Sequence, residues 1–183
     1  MPDAPAAQTA RYYDDSRTAI LVGGLFQALS SVSLLVFTLC VATFVRRGAG
    51  QRGALSRLAL GGGALAAAFL LLSVVFSAVL ALVAAGENLA LVDTLRDLNF
   101  LAGGAAHVSM LGIFVGTSSV ATLRAKALPR WISWLGFLAA TLSLLSLASL
   151  VWFPATVLLP LGRLLSFAWS IAMSIVLIRG ERS

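Results

Sequence analysis

Charge is what this chain has least of. Only 11% of its 183 residues are Asp, Glu, Lys or Arg, less than half of the roughly 25% typical of a soluble domain, which argues against a soluble catalytic module. Cys40 is the single cysteine and His107 the single histidine. No internal disulfide is available, and a lone histidine supplies neither a zinc site with its three or four ligands nor bis-histidine haem ligation. Cys40, late in an apolar run, is expected to be a packing residue. The apolar segments contain no carboxylate pair, and no second base stands beside their many serines. Neither an enzymatic activity nor a cofactor or metal is expected.

Apolar residues take the place of charge: 60% of the chain is hydrophobic and its mean hydropathy is +0.98. Five long apolar runs cover most of residues 18–45, 58–85, 98–120, 131–151 and 155–178. Each is near or above the roughly 20 residues that cross about 30 Å of hydrocarbon. The expected fold is all-α, a single integral bundle of five transmembrane helices over residues 18–183, behind a flexible extracytoplasmic tail over 1–17. The tail is acidic and the run behind it too long for a signal peptide, so that run is expected to remain as an anchor.

The formal net charge is +6, yet the basic residues are scattered among loop ends and form no stripe, so nucleic acid is not an expected partner. Orientation accounts for them better. From tail to tail the loops sum to −1, +4, −2, +3, 0 and +1, with Arg163 left out because it lies within the last span. Lys and Arg favour the cytoplasmic side, which puts the N-terminus outside, the C-terminus inside and the protein in the cell membrane. Of the basic residues only Lys126 is a lysine, an arginine bias that, with abundant Ala and Gly, points to a GC-rich bacterial source and hence an inner membrane.

Within the spans, small residues mark expected helix contacts. Gly23, Gly24, Gln27, Ser30, Ser31 and Ser33 give the outer half of span one a small, polar face expected to pack against protein. Gly61, Gly62 and Gly63 open span two, and Gly104, Gly112 and Gly116 line one side of span three; both sets are expected to serve helix packing, or a homodimer seam in the case of the GxxxG pair. Residues 87–97 are expected to form an interfacial helix, with Asp93 or Asp97 capping span three. Pro129, Arg130, Trp131 and Trp134 read as an interfacial anchor at the entry of span four. A last span starting at Pro154 puts Arg163 about 13 Å deep, whereas a start at Pro160 leaves it in the first turn.

Ionisable groups inside a span are costly and are functional candidates by default. His107 and Arg163 are the two here. Arg163 is followed at spacings of three, four and four by Ser166, Ser170 and Ser174, a polar stripe along one helix face, and Ser143, Ser146 and Ser149 form another. One reading makes these a candidate polar cavity for an anionic or amphiphilic ligand. The other makes His107 a core imidazole bonded to Ser or Asn and lets the hydroxyls bond back to their own helices. Arg163 is expected to pair with Asp97, then with Glu87 or Asp93.

The stretch from His107 to Arg179 carries a mid-span His with a following Gly112, the loop Leu128, Pro129, Arg130, then Gly136, with Leu159, Pro160 and Gly162 opening the last span. It resembles the C-terminal half of a family of uncharacterised bacterial multi-span membrane proteins known as a domain of unknown function. The resemblance implies topology and no activity, and such proteins carry more spans than five. The expected role is non-enzymatic: an accessory, regulatory or assembly subunit that acts through its helices on the lipid bilayer and on another membrane protein or itself. The alternative is a transporter or sensor of small solutes or lipophiles built around His107 and Arg163.

The charge pattern makes a direct prediction. An alkaline phosphatase fused near Glu87 is expected to be active and one fused near Arg124 silent; the opposite pattern refutes the orientation.

Overall fold

The computed structural model describes residues 5–48, 53–83 and 88–180, and every regular element among these is a helix. Five helical stretches are long and apolar enough to cross a membrane: Arg17–Arg47, Gly53–Val83, Leu89–Arg124, Arg130–Leu150 and Pro154–Arg179. Residues 84–85 of the expected second span and Glu87 lie outside the described residues, as do Asp3, Arg52, Glu181 and Arg182 of the charge count.

The helices are α1 (Ala6–Asp15), α2 (Arg17–Gly48), α3 (Gly53–Val83), α4 (Leu89–Phe100), α5 (His107–Arg124), α6 (Arg130–Leu145) and α7 (Leu158–Gly180). A π-helical turn over Leu101–Ala106 joins α4 to α5 without a break. Two 3₁₀ turns, Ser146–Leu150 and Phe153–Val157, connect α6 to α7. Local chemistry sets several ends. The Asn88 side chain accepts from Leu91 N–H at 3.1 Å and caps α4. Pro129, with no N–H to strand, precedes α6. Arg46, Arg47, Arg124 and Arg179 sit in last turns, where they complement the exposed carbonyls.

Consecutive long helices pack as neighbours: α2 on α3, α3 on α5, α5 on α6, α6 on α7. Both α2 and α7 also rest on α5, which makes α5 the centre of the bundle. Burial agrees, since half of the most apolar window in α4–α5 is buried against 28% in α2 and in α7. Phe37, Phe114 and Trp169 meet edge to face at the middle, with centroids 5.8 to 6.4 Å apart. Val41, Val45, Val115 and Met173 pack around them.

Several expectations need correction. Residues 6–15 of the expected tail form α1, which buries Thr9 and Ala10 and packs on Leu80, Val92 and Leu95. Tyr13 is half-buried there; desolvation raises its phenol pKa above the ordinary value despite hydrogen bonds with Ser77 and Asn99. Residues 88–97 are the first turns of the central helix and no separate interfacial element, and its cap is Asn88 in place of Asp93 or Asp97. The small, polar face of α2 packs against protein only in part: Ser31 is buried and donates to Ala67 O of α3 at 2.7 Å, and Gly24 makes ordinary contact with Val74. A Cβ on Gly23 would meet open space, and Leu25, Phe26, Leu29 and Val32 beside that face are exposed. Further burial comes in the C-terminal half, from Thr38, Val41, Ala42 and Val45. Cys40 is exposed too.

The glycines divide sharply. Gly61 faces open space and supports no contact, contrary to expectation. Gly62 lets α3 approach the α5 backbone, where a Cβ would lie 2.9 Å from Phe114 N, and Gly63 is closed off by Thr38 of α2. Gly112 packs on Ser143 and Ala140 of α6, Gly116 on Ala140, and Gly104 makes ordinary contact with Leu159 and Phe100. These intramolecular contacts occupy the GxxxG face. Trp131 and Trp134 point outward from α6, and Arg130 is exposed beside them.

Gly112→Ala is expected to destabilise the protein in detergent by about 1–3 kcal/mol through overpacking. Gly61→Ala is expected to be neutral or to stabilise by up to about 1 kcal/mol, because Gly is a poor helix former. Equal melting shifts in the two variants would refute the packing described.

Candidate functional site

α2 and α7 both lean on α5 with little packing between them, and the space they leave is a groove of about 940 Å³. That lies at the upper end of the roughly 300–1,000 Å³ usual for small-molecule sites. Phe26, Gln27, Ser30, Ser33 and Phe37 of α2 form one wall; Arg163, Ser166, Phe167, Ser170, Ile171 and Ser174 of α7 form the other. Leu70, His107 and Leu111 make the floor. The structure thus brings together His107, Arg163, Ser166, Ser170 and Ser174, all five residues of the candidate cavity. Ser143 of α6 and Ser146 and Ser149 of the 3₁₀ turn that follows it are instead buried and do not line the groove.

Backbone geometry places the two ionisable groups. Pro154 opens the 3₁₀ turn and Pro160 stands in the first turn of α7, so Arg163 is five residues into that helix, about 7.5 Å from its start. Its guanidinium Nη2 donates to Gly103 O at 2.6 Å. That carbonyl is accessible because of the π turn. The His107 N–H bonds to Ala102 O and Gly104 O, passing over the Gly103 carbonyl that an α-helix would have given it. Gly103 also admits Ser73 of α3 in close contact, and Ser73 donates to Asn99 at 2.5 Å.

His107 is bonded to a backbone carbonyl and not to the expected Ser or Asn: its Nδ1 lies 2.8 Å from Ala66 O on α3. A carbonyl only accepts, so Nδ1 carries the proton, and in the neutral ring Nε2 presents a lone pair. Nε2 has no partner among the described residues. Ser170 and Ser174 donate to the carbonyls of Ser166 and Ser170 at 2.8 Å, and Ser30 and Ser33 back-bond likewise. Ser166 differs. It is 1% exposed, lines the groove, and its Oγ has no partner among the described residues.

Among the described residues Arg163 pairs with neither Asp97 nor Asp93. Asp97 and Asp93 are both held by Arg96 of their own helix, at 3.1 and 2.9 Å, and Glu87 lies outside the described residues. Arg163 therefore has a carbonyl partner but no carboxylate among the described residues. Sequence reasoning did not assign Gln27, Ser30 and Ser33 to this site, although their spacing of three puts them on one helix face. The role of Gly103 O carried no side-chain signal at all.

Comparison with protein-family models, with curated proteins and with solved structures found no match.

The geometry predicts independence of Arg163 and Asp97. Arg163→Gln and Asp97→Asn are expected to have additive effects on stability within about 0.5 kcal/mol; a larger interaction energy in the double mutant would restore the ion pair.

Proposed function

We propose that this chain is a five-span protein of the bacterial cell membrane, N-terminus outside and C-terminus cytoplasmic, that binds an anionic amphiphile in the groove between α2 and α7 as a sensor or carrier. The observation that carries this reading is the state of Arg163. It is a cation in a mostly apolar groove, hydrogen-bonded to Gly103 O but not neutralised by any carboxylate among the described residues. A charge in a low-dielectric setting is stabilised by a counter-ion, and the groove leaves room for one.

The walls suit the remainder of such a molecule. Below Arg163, Phe167, Ile171 and Ile175 alternate with hydroxyls already bonded to their own helix, so the lining becomes apolar in character toward the far end. In a bilayer the exposed rims of α2 and α7 face acyl chains, and a ligand enters sideways from the lipid. The accessory-subunit reading rests on a different observation, the uncovered outer half of α2 with its open Gly23, where a partner helix would fit.

Thermal unfolding in a non-ionic detergent separates the two. An alkyl phosphate is expected to raise the melting temperature with the logarithm of its concentration, a stabilisation of about 2.7 kcal/mol at a hundredfold excess over Kd, and an uncharged polyol of the same chain length is expected not to. Arg163→Gln is expected to abolish the difference. Equal shifts from both amphiphiles, or an undiminished shift in the variant, would overturn the reading.

A further inference from the structure

Given the amphiphile-binding function proposed above, the groups at one end of the groove decide which anion it selects. Three groups converge at the Arg163 end. Arg163 reaches across to Gly103, one turn before His107 on the same helical run, so its guanidinium stands beside the imidazole. Ser166 lies three residues after Arg163 and therefore on the same face of α7. Both His107 and Ser166 line the groove with Arg163.

Their hydrogen-bonding capacities differ in kind. Arg163 has further N–H donors beyond the one given to Gly103 O, and the Ser166 hydroxyl is unpartnered and nine-tenths or more buried. Both suit an anionic oxygen. His107 has its Nδ1 proton committed to Ala66 O, so neutral Nε2 offers only a lone pair. An oxygen without a proton placed there sets lone pair against lone pair. A ligand that meets all three needs an anionic oxygen and, on the same headgroup, an O–H donor.

We propose that this end of the groove is a subsite for a phosphate monoester in its singly ionised form: P–O⁻ on Arg163 and Ser166, P–O–H donating to His107 Nε2. With a second pKa near 6, about half of a free monoester carries that proton at pH 6, and the His107 lone pair selects this form. Phosphate diesters, which include the bulk phospholipids, carry a similar charge but no P–O–H. The site thus distinguishes a monoester from a diester whose headgroup carries no hydroxyl within reach of His107, a discrimination that net charge does not supply. A site built to bond a ligand hydroxyl rejects analogues that lack it, because its own polar group is left unpaired.

The test is equilibrium binding to the full-length protein in bilayer nanodiscs at about pH 6, with three probes: a long-chain alkyl phosphate, its methyl ester, and inorganic phosphate. The monoester is expected to bind about tenfold or more tighter than the methyl ester to the wild-type protein. In His107→Gln, whose amide offers either a donor or an acceptor, the two are expected to agree within about threefold. Equal wild-type affinities, or a preference undiminished in His107→Gln, would overturn the subsite while leaving the groove reading intact. The wild-type comparison needs no variant to fold. Failure of both amphiphiles to bind would instead refute the amphiphile-binding function. Inorganic phosphate is expected to compete weakly; competition equal to that of the alkyl phosphate would retain the headgroup chemistry and overturn a lipid as its source.

Discussion

Close approach of the α5 backbone to its neighbours is the constraint on which the rest of this structure depends. Gly62 brings α3 to the backbone at Met110 and Phe114, and Gly112 brings α5 against Ser143 of α6. Gly162 repeats the arrangement from α7, where a Cβ would lie 2.7 Å from Ser143 Oγ. In the proposed membrane setting acyl chains are as apolar as leucine, so association rests on van der Waals packing and on hydrogen bonds between helices. Small residues gain the first by letting backbones come near. The bond from His107 to Ala66 O is an example of the second, and it ties the centre of α5 to α3.

A central helix packed this tightly leaves its outermost neighbours little reason to meet. α2 is held by Ser31, Thr38, Val41 and Val45, and α7 by Gly162, Trp169 and Met173. Their facing sides pack little on each other, and the groove is what remains. Its polar lining follows from which residues occupy those faces, at spacings of three and four on both helices. The same residues would cost little against water and much against hydrocarbon.

How much of this was readable from the chain depends on the length of the physical signal. Apolar runs of twenty or more residues announce themselves, and all five long helices lie where those runs do. The serine stripe from Ser166 to Ser174 was readable as a face because helical periodicity is regular, and with His107 and Arg163 it marked the candidate residues that share the groove. Partners were harder. Asp97 appeared available to Arg163 in sequence, but Arg96 is its immediate neighbour and holds it. The N-terminal half of α2 reads as a packing face because small residues suit close approach, and Ser31 and Gly24 do meet α3, yet Gln27, Ser30 and Ser33 open on the groove and Gly23 on empty space. Periodicity names a face, but what stands opposite that face is decided by the other helices.

The pairing of Arg163 with Gly103 shows why such a detail changes the chemistry. A carboxylate partner would both satisfy the guanidinium and cancel its charge. A carbonyl only satisfies it, and the charge stays. Supplying that carbonyl from a regular α-helix would take an oxygen already engaged by the N–H four residues on. The π turn at Leu101–Ala106 redirects the His107 N–H and leaves Gly103 O for the arginine. One irregular turn thereby presents a fixed, positively charged group at the mouth of the groove and seats the histidine one turn below it. Straightening the turn would return the carbonyl to its helix and leave Arg163 without its anchor.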